Sequence, residues 1–184
     1  MKKTIIIILA IVVIVGIYFV ATYNGLVTLN VASDAQWKQV ETQYQRRFDL
    51  IPNLVESVKG ILKQEMEVFT AIADARTKYS GATTANEKAL AAGQVESALG
   101  RLLVITENYP QLNSSDTVQS LMAQLEGTEN RVSTERMRFN KDIEVYNLKV
   151  KRFPSSIVAS MFGFEERSYF EAVQGAEKAP QVKF

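Results

Sequence analysis

Residues 116–153 read DTVQSLMAQLEGTENRVSTERMRFNKDIEVYNLKVKRF, and within them Val118, Leu125, Val132, Phe139, Tyr146 and Phe153 stand seven apart. A helix turns once in about 3.6 residues, so a seven-residue period comes back to one face every two turns and marks a seam that packs against other helices. Strand-like alternation is missing over any useful length of this run or of the chain beyond the apolar N-terminus. The run therefore sets the class as all-α.

Working outward from it, Asn108 to Ser115 with Pro110 inside is a break, and Ser115 or Asp116 is placed to cap the long helix. Before the break Val95, Ala98, Leu102, Ile105 and Tyr109 form a helical stripe. Thr84 and Glu87, after a turn at Ser80 to Thr84, have capping-box spacing at its start. Further back, Trp37, Val40, Tyr44, Ile51, Leu54, Val58, Ile61, Val68 and Ile72 follow a heptad-like stripe that Arg47 and Glu65 interrupt. Pro52 has no amide proton and disfavours helix at Ile51, which predicts a kink there or a fresh start capped by Asp49. On the other side, Pro154 ends the long helix and Ser155 or Ser156 caps a short apolar one through Met161.

Residues 4–33 carry no charge, and Ile5 to Val20 is almost wholly aliphatic and aromatic. As a helix, Ile5 to Thr22 is about 27 Å long, close to the hydrocarbon thickness of a bilayer. Tyr18, Phe19 and Tyr23 stand at the interfacial end. A cleaved signal peptide is the rival, but the apolar run is too long, and bulky Phe19 would occupy the minus-three place of a cleavage at Ala21 to Thr22. Lys2 and Lys3 precede the span, and no basic residue follows until Lys38. Basic residues resist translocation, which favours a cytoplasmic N-terminus with the domain outside the cytoplasm of the cell membrane.

Short loops make consecutive helices antiparallel neighbours. The expected architecture is an N-terminal transmembrane helix continuing into an antiparallel bundle of three long helices, the first kinked near Pro52, plus a short C-terminal helix. In segments this is an anchor over 1–22, a stalk helix over 23–51, a bundle over 52–171 and a flexible tail over 172–184. Counting back along the helices brings Glu65 level with Glu129, Arg131 and Arg136, which predicts a polar layer that sets register.

The 184 residues leave room for about one domain beyond the span. Lys plus Arg number 21 against 20 acidic residues, so no basic excess points to nucleic acid. With no cysteine, disulfides, thiol nucleophiles and a lipidated N-terminal cysteine are excluded. With no histidine, the usual Glu-x-x-His di-iron site of helical bundles cannot be built, and the commonest acid–base side chain is missing. No Gly-x-Gly-x-x-Gly or Walker pattern occurs. Carboxylate chemistry of the glycosidase kind needs a cleft, whereas Glu41, Glu67, Asp74, Glu96 and Asp142 read as scattered, exposed helix positions. Neither a cofactor nor a metal is expected.

Candidate contacts remain. Arg46 and Arg47, beside Phe48, suit lipid phosphate or an acidic partner, or else a solvated face or a salt bridge within the bundle. Asn140 and Asn147 stand seven apart beside the seam, placed to bond across helices or to a partner. The segment holding Phe153, Ile157, Val158, Met161, Phe162 and Phe164 is unusually apolar; it either caps the open end of the bundle or docks another protein, with Phe162 as the contact.

Several blocks in fixed order are familiar: Tyr23-Asn24-Gly25-Leu26-Val27, QYQRRFDLIPNLVESVKG over 43–60, Glu107-Asn108-Tyr109-Pro110, Glu126-Gly127-Thr128-Glu129-Asn130-Arg131, Phe139-Asn140, Tyr146-Asn147, and Phe153-Pro154-Ser155-Ser156 through Phe164. Together they resemble the LemA family of bacterial proteins over nearly the whole chain. Phe48 and Phe139 stand where tyrosine is usual, and Lys63-Gln64-Glu65 replaces a histidine-glutamate pair. The resemblance implies a membrane-anchored helical bundle without an assigned molecular function, and membrane organisation or envelope upkeep at the family level. It also implies a domain on the cytoplasmic side, against the charge rule; the charge rule stands as the expectation because it comes from these residues. The leading expectation is a non-enzymatic, single-pass envelope protein, scaffold or adaptor for protein partners and a possible homo-oligomer. A carboxylate-based membrane enzyme or subunit and a lipid-binding membrane organiser are the alternatives.

Overall fold

A computed structural model describes residues 2–60 and 66–170 of the chain. Six helices and no strand occur among them: α1 (Lys2–Lys59), α2 (Met66–Gly81), α3 (Ala85–Glu107), α4 (Pro110–Asn113), α5 (Asp116–Lys151) and α6 (Ser155–Met161). The all-α class read from the heptads therefore stands. Ile61, Glu65 and the expected tail over 172–184 lie outside the described residues.

α1 does not restart at Asp49; it runs through Pro52 to Lys59. Asp49 accepts a hydrogen bond from Gln45 Nε2 at 2.8 Å, one turn back, so its carboxylate serves the helix interior instead of capping a new one. Burial of Ile51, Leu54 and Val58 on either side of the proline offsets the backbone bond that Pro52 cannot donate to the Phe48 carbonyl.

At the start of α3 the capping box is formed as its spacing predicts, with Thr84 Oγ1 accepting from Glu87 N–H and the Glu87 carboxylate accepting from Thr84 N–H. α2 and α3 pack on each other across the intervening turn. Pro110 sits in the first position of α4, where a missing amide proton costs nothing.

The seam of α5 is buried at Val118, Leu125, Val132, Phe139 and Tyr146, but its sixth position departs from the pattern. Phe153 is 76% exposed, because α5 ends at Lys151, two residues before the seam would return. Neither Ser155 nor Ser156 caps α6, since both lie inside it and Pro154 holds the cap position. Ser155 Oγ instead stands 2.7 Å from both the Lys149 and the Arg152 carbonyls and can give its one proton to either, serving the open carbonyls at the end of α5.

By contacts the chain divides into two compact units. Of the described residues, the first comprises 2–38 and 137–169, the second 39–60, 66–136 and 170. In the first unit Leu26, Val158 and Ala159 form a buried cluster, with Phe19, Val150 and Phe164 packed on it. Trp37 meets Phe139 at 5.3 Å between ring centroids. The segment 162–169 is strapped back by Arg167, which reaches Asp34 at 2.6 Å and Asn30 Oδ1 at 3.0 Å. In the second unit Tyr44 from α1 joins Val95, Leu102 and Val132 from α3 and α5 among the fully enclosed side chains. Residues 39–51, expected as stalk, thus carry part of this unit's buried interior.

Candidate functional site

The second unit encloses a charged layer. On α1, Tyr44, Arg47, Phe48 and Ile51 are three and four apart, so they share a face. That face meets α3 and α5. Arg47, 7% exposed, pairs with Glu129 of α5 and stands 3.7 Å from Glu96 of α3. Arg136 of α5 holds Glu96 at 2.5 Å and donates through Nε, 2.9 Å, to the Tyr44 hydroxyl, so Tyr44 is an acceptor. Two arginines thus face two glutamates, and the layer is neutral within itself.

Burial pushes the Tyr44 hydroxyl up to about 12, against the pull of Arg136, and lowers the Arg47 guanidinium from its ordinary value. Tyr79 of α2 is likewise raised by burial, with the Glu41 charge adding to it. Its ring lies 4.6 Å from Phe48 and 5.5 Å from Tyr44, closing the layer on the α2 side. Lys88 of α3 pairs with Glu41.

Beside the layer opens a cavity of about 530 Å³. Leu54, Leu99, Leu103, Leu112, Val118 and Met122 form its apolar wall, Arg47 and Glu129 reach it from the layer, and Glu107 and Glu126 add carboxylates. The volume falls within the roughly 300–1,000 Å³ of pockets that take a ligand or a partner's side chain. One side of the wall comes from Leu99 and Leu103, four apart on α3, and from α4, which Pro110 starts and whose Leu112 is wholly buried; α5 supplies the other through Val118 and Met122.

The residues singled out in the sequence fall in different places. Arg46 is exposed and Arg47 is buried in the layer. Glu129 and Arg136 join the layer from positions two turns apart on α5, whereas Arg131 between them is exposed. Glu65, the proposed centre of that layer, is not among the described residues. Asn147 in the first unit is buried and clamps the Arg167 backbone, donating to its carbonyl at 2.8 Å and accepting from its amide at 2.9 Å. Asn140, half-buried, lies in the same unit. Phe162 is exposed, with one edge against Tyr23 at 4.8 Å.

Glu41 and Glu96, read as solvated helix positions, are corrected to partly buried members of ion pairs. Their partners Lys88 and Arg136 lie 47 and 40 residues away, so no local spacing announces them. The local signals were Tyr44, a hydroxyl on an otherwise apolar stripe, and Arg47, which interrupts that stripe one turn later.

Comparison with known proteins adds two findings. The family model described as LemA family matches residues 36–184. Magnetosome protein MamQ 2 of Paramagnetospirillum magneticum is 28% identical over 183 residues, spanning 83% of this chain and 67% of the relative. Magnetosome protein MamQ of Magnetospirillum gryphiswaldense is 29% identical over 174 residues, spanning 80% and 64%.

Proposed function

The chain belongs to the LemA family, and from that premise we propose that it is a non-enzymatic, single-pass protein of the cell membrane whose helical domain is a scaffold or adaptor for envelope proteins. The relatives are named for the magnetosome, and α1 is long and apolar enough to cross a membrane; both support an anchored protein. In the finer arrangement proposed, the long helices form an antiparallel bundle with the N-terminus cytoplasmic and the domain outside the cytoplasm.

The observation that carries the adaptor reading is the cavity beside the charged layer. Its deep charges, Arg47 and Glu129, are engaged with each other, which leaves an apolar pocket with two further carboxylates, Glu107 and Glu126. Such a site suits a partner segment that inserts an aliphatic or aromatic side chain and carries a basic residue beside it.

A photoreactive phenylalanine analogue placed at Leu103 or Met122 of the membrane-embedded protein tests this. A discrete protein adduct from both positions, weakened by Glu107→Gln with Glu126→Gln, is expected. Adducts to lipid alone, or none from either position, would overturn the adaptor role. An adduct of twice the chain's mass would make the partner a second copy.

A further inference from the structure

α6 has two faces of opposite fate. Ser155, Val158 and Ala159 are buried, the last two in the cluster with Leu26. Ile157 and Met161, four apart on the helix, are exposed, as are Phe153 just before it and Phe162 just after it, Met161 at 67% and Phe162 at 53%. A soluble surface would not leave four large apolar side chains together in water without a partner.

The place of this face identifies what covers it. Phe19 lies within the apolar stretch that reads as the span, and it packs on the same cluster as Val158 and Ala159. Thr22 at the end of that stretch is buried, and the Tyr23 ring touches Phe162 at 4.8 Å and Phe164 at 5.8 Å. At ~1.5 Å per residue, Phe19 sits about 4–5 Å inside the end of the span at Thr22, so the element packed against it reaches the depth where interfacial helices lie. Basic residues flank the apolar face. The Lys149 stem lies along α1 at Gly25, where a Cβ would be 3.9 Å from its Cε, and Arg152 is exposed one residue before Phe153.

We infer that Ile157 and Met161 on the outer face of α6, with Phe153 and Phe162 flanking the helix, are seated in the lipid interface beside the end of the span, with Lys149 and Arg152 at the level of the phosphates. The chain then holds the bilayer at two places, a crossing helix and a short helix lying against the surface. Apolar burial fixes the second contact, and attraction of the basic pair to anionic headgroups orients it.

The inference rests on the membrane-anchored reading above, and the test separates the two. The chain has no cysteine, so single nitroxide labels can be placed by Ile11→Cys, Met161→Cys and Glu144→Cys without other changes. The full chain is reconstituted in vesicles of phosphatidylethanolamine and phosphatidylglycerol, and collision of each label with oxygen and with a water-soluble nickel chelate is measured. The ratio of oxygen to nickel accessibility at position 161 is expected to be several-fold above that at 144 and to approach that at 11. If position 11 is lipid-exposed while 161 prefers nickel, the span stands and the second contact is overturned. A label at 161 shielded from both reagents also overturns it, in favour of a covering protein or second copy. Nickel access at position 11 would overturn anchoring and inference together.

Discussion

Tyr44 and Arg47 show how much a single side chain can hold in place. The Tyr44 hydroxyl accepts from Arg136 and is pushed up to about 12 by burial, whereas an unfolded tyrosine titrates near 10. Stability from this group is therefore complete below about pH 10 and lost as pH rises towards 12. Tyr44→Phe should cost about 1–3 kcal/mol at neutral pH, the worth of a hydrogen bond to a charged group, and should flatten the alkaline fall in stability. Tyr79, also raised, keeps part of that fall. Denaturant midpoints from pH 7 to 11 check both. For the Arg47–Glu129 pair, removing the glutamate leaves the arginine buried. Glu129→Leu alone should destabilise by about 1–3 kcal/mol, held down by the remaining contact to Glu96, and adding Arg47→Met should recover stability. A double variant no more stable than the single one would refute that coupling.

α3 is the element whose start is most locally written. Thr84→Ala removes the acceptor for the Glu87 amide and should cost about 1 kcal/mol, read as a lower denaturation midpoint with unchanged slope. The Thr83 and Thr84 amides hold the Glu87 carboxyl below its ordinary range. Its contribution is thus present above the unfolded value near 4.3 and lost as pH falls through the folded one. Glu87→Gln should remove that acid dependence and lower stability at neutral pH. Farther along, Leu102 is wholly buried, and Leu102→Ala should cost about 2–5 kcal/mol. α6 is the contrasting element: its Ser155 serves the end of α5, and Ile157 and Met161 on its outer face are exposed among the described residues.

At the scale of the whole molecule, the proposed sidedness rests on the charges that flank the span. Lys2 and Lys3 against no basic residue until Lys38 favour export of the domain, so a compartment-sensitive reporter fused at Phe184 should be active outside the cytoplasm. Activity inside would reverse the topology and leave the span and the helices untouched. What the sequence by itself determined is periodic or contiguous: the aliphatic run 5–22, the helical class, the Thr84–Glu87 cap and the buried seam of α5 through Tyr146. Each follows from residues within a few turns of one another, where backbone geometry fixes which side chains meet. Phe153 marks where that logic stops, since a heptad predicts burial only while the helix continues, and Pro154 ends it. The pairing of Arg47 with Glu129 and Glu96, the docking of Arg136 on Tyr44 and Glu96, and the apolar cavity beside them were decided by tertiary structure alone. Those partners lie 40 to 92 residues apart, and a charge on a helix face carries no record of which distant helix will exclude water from it.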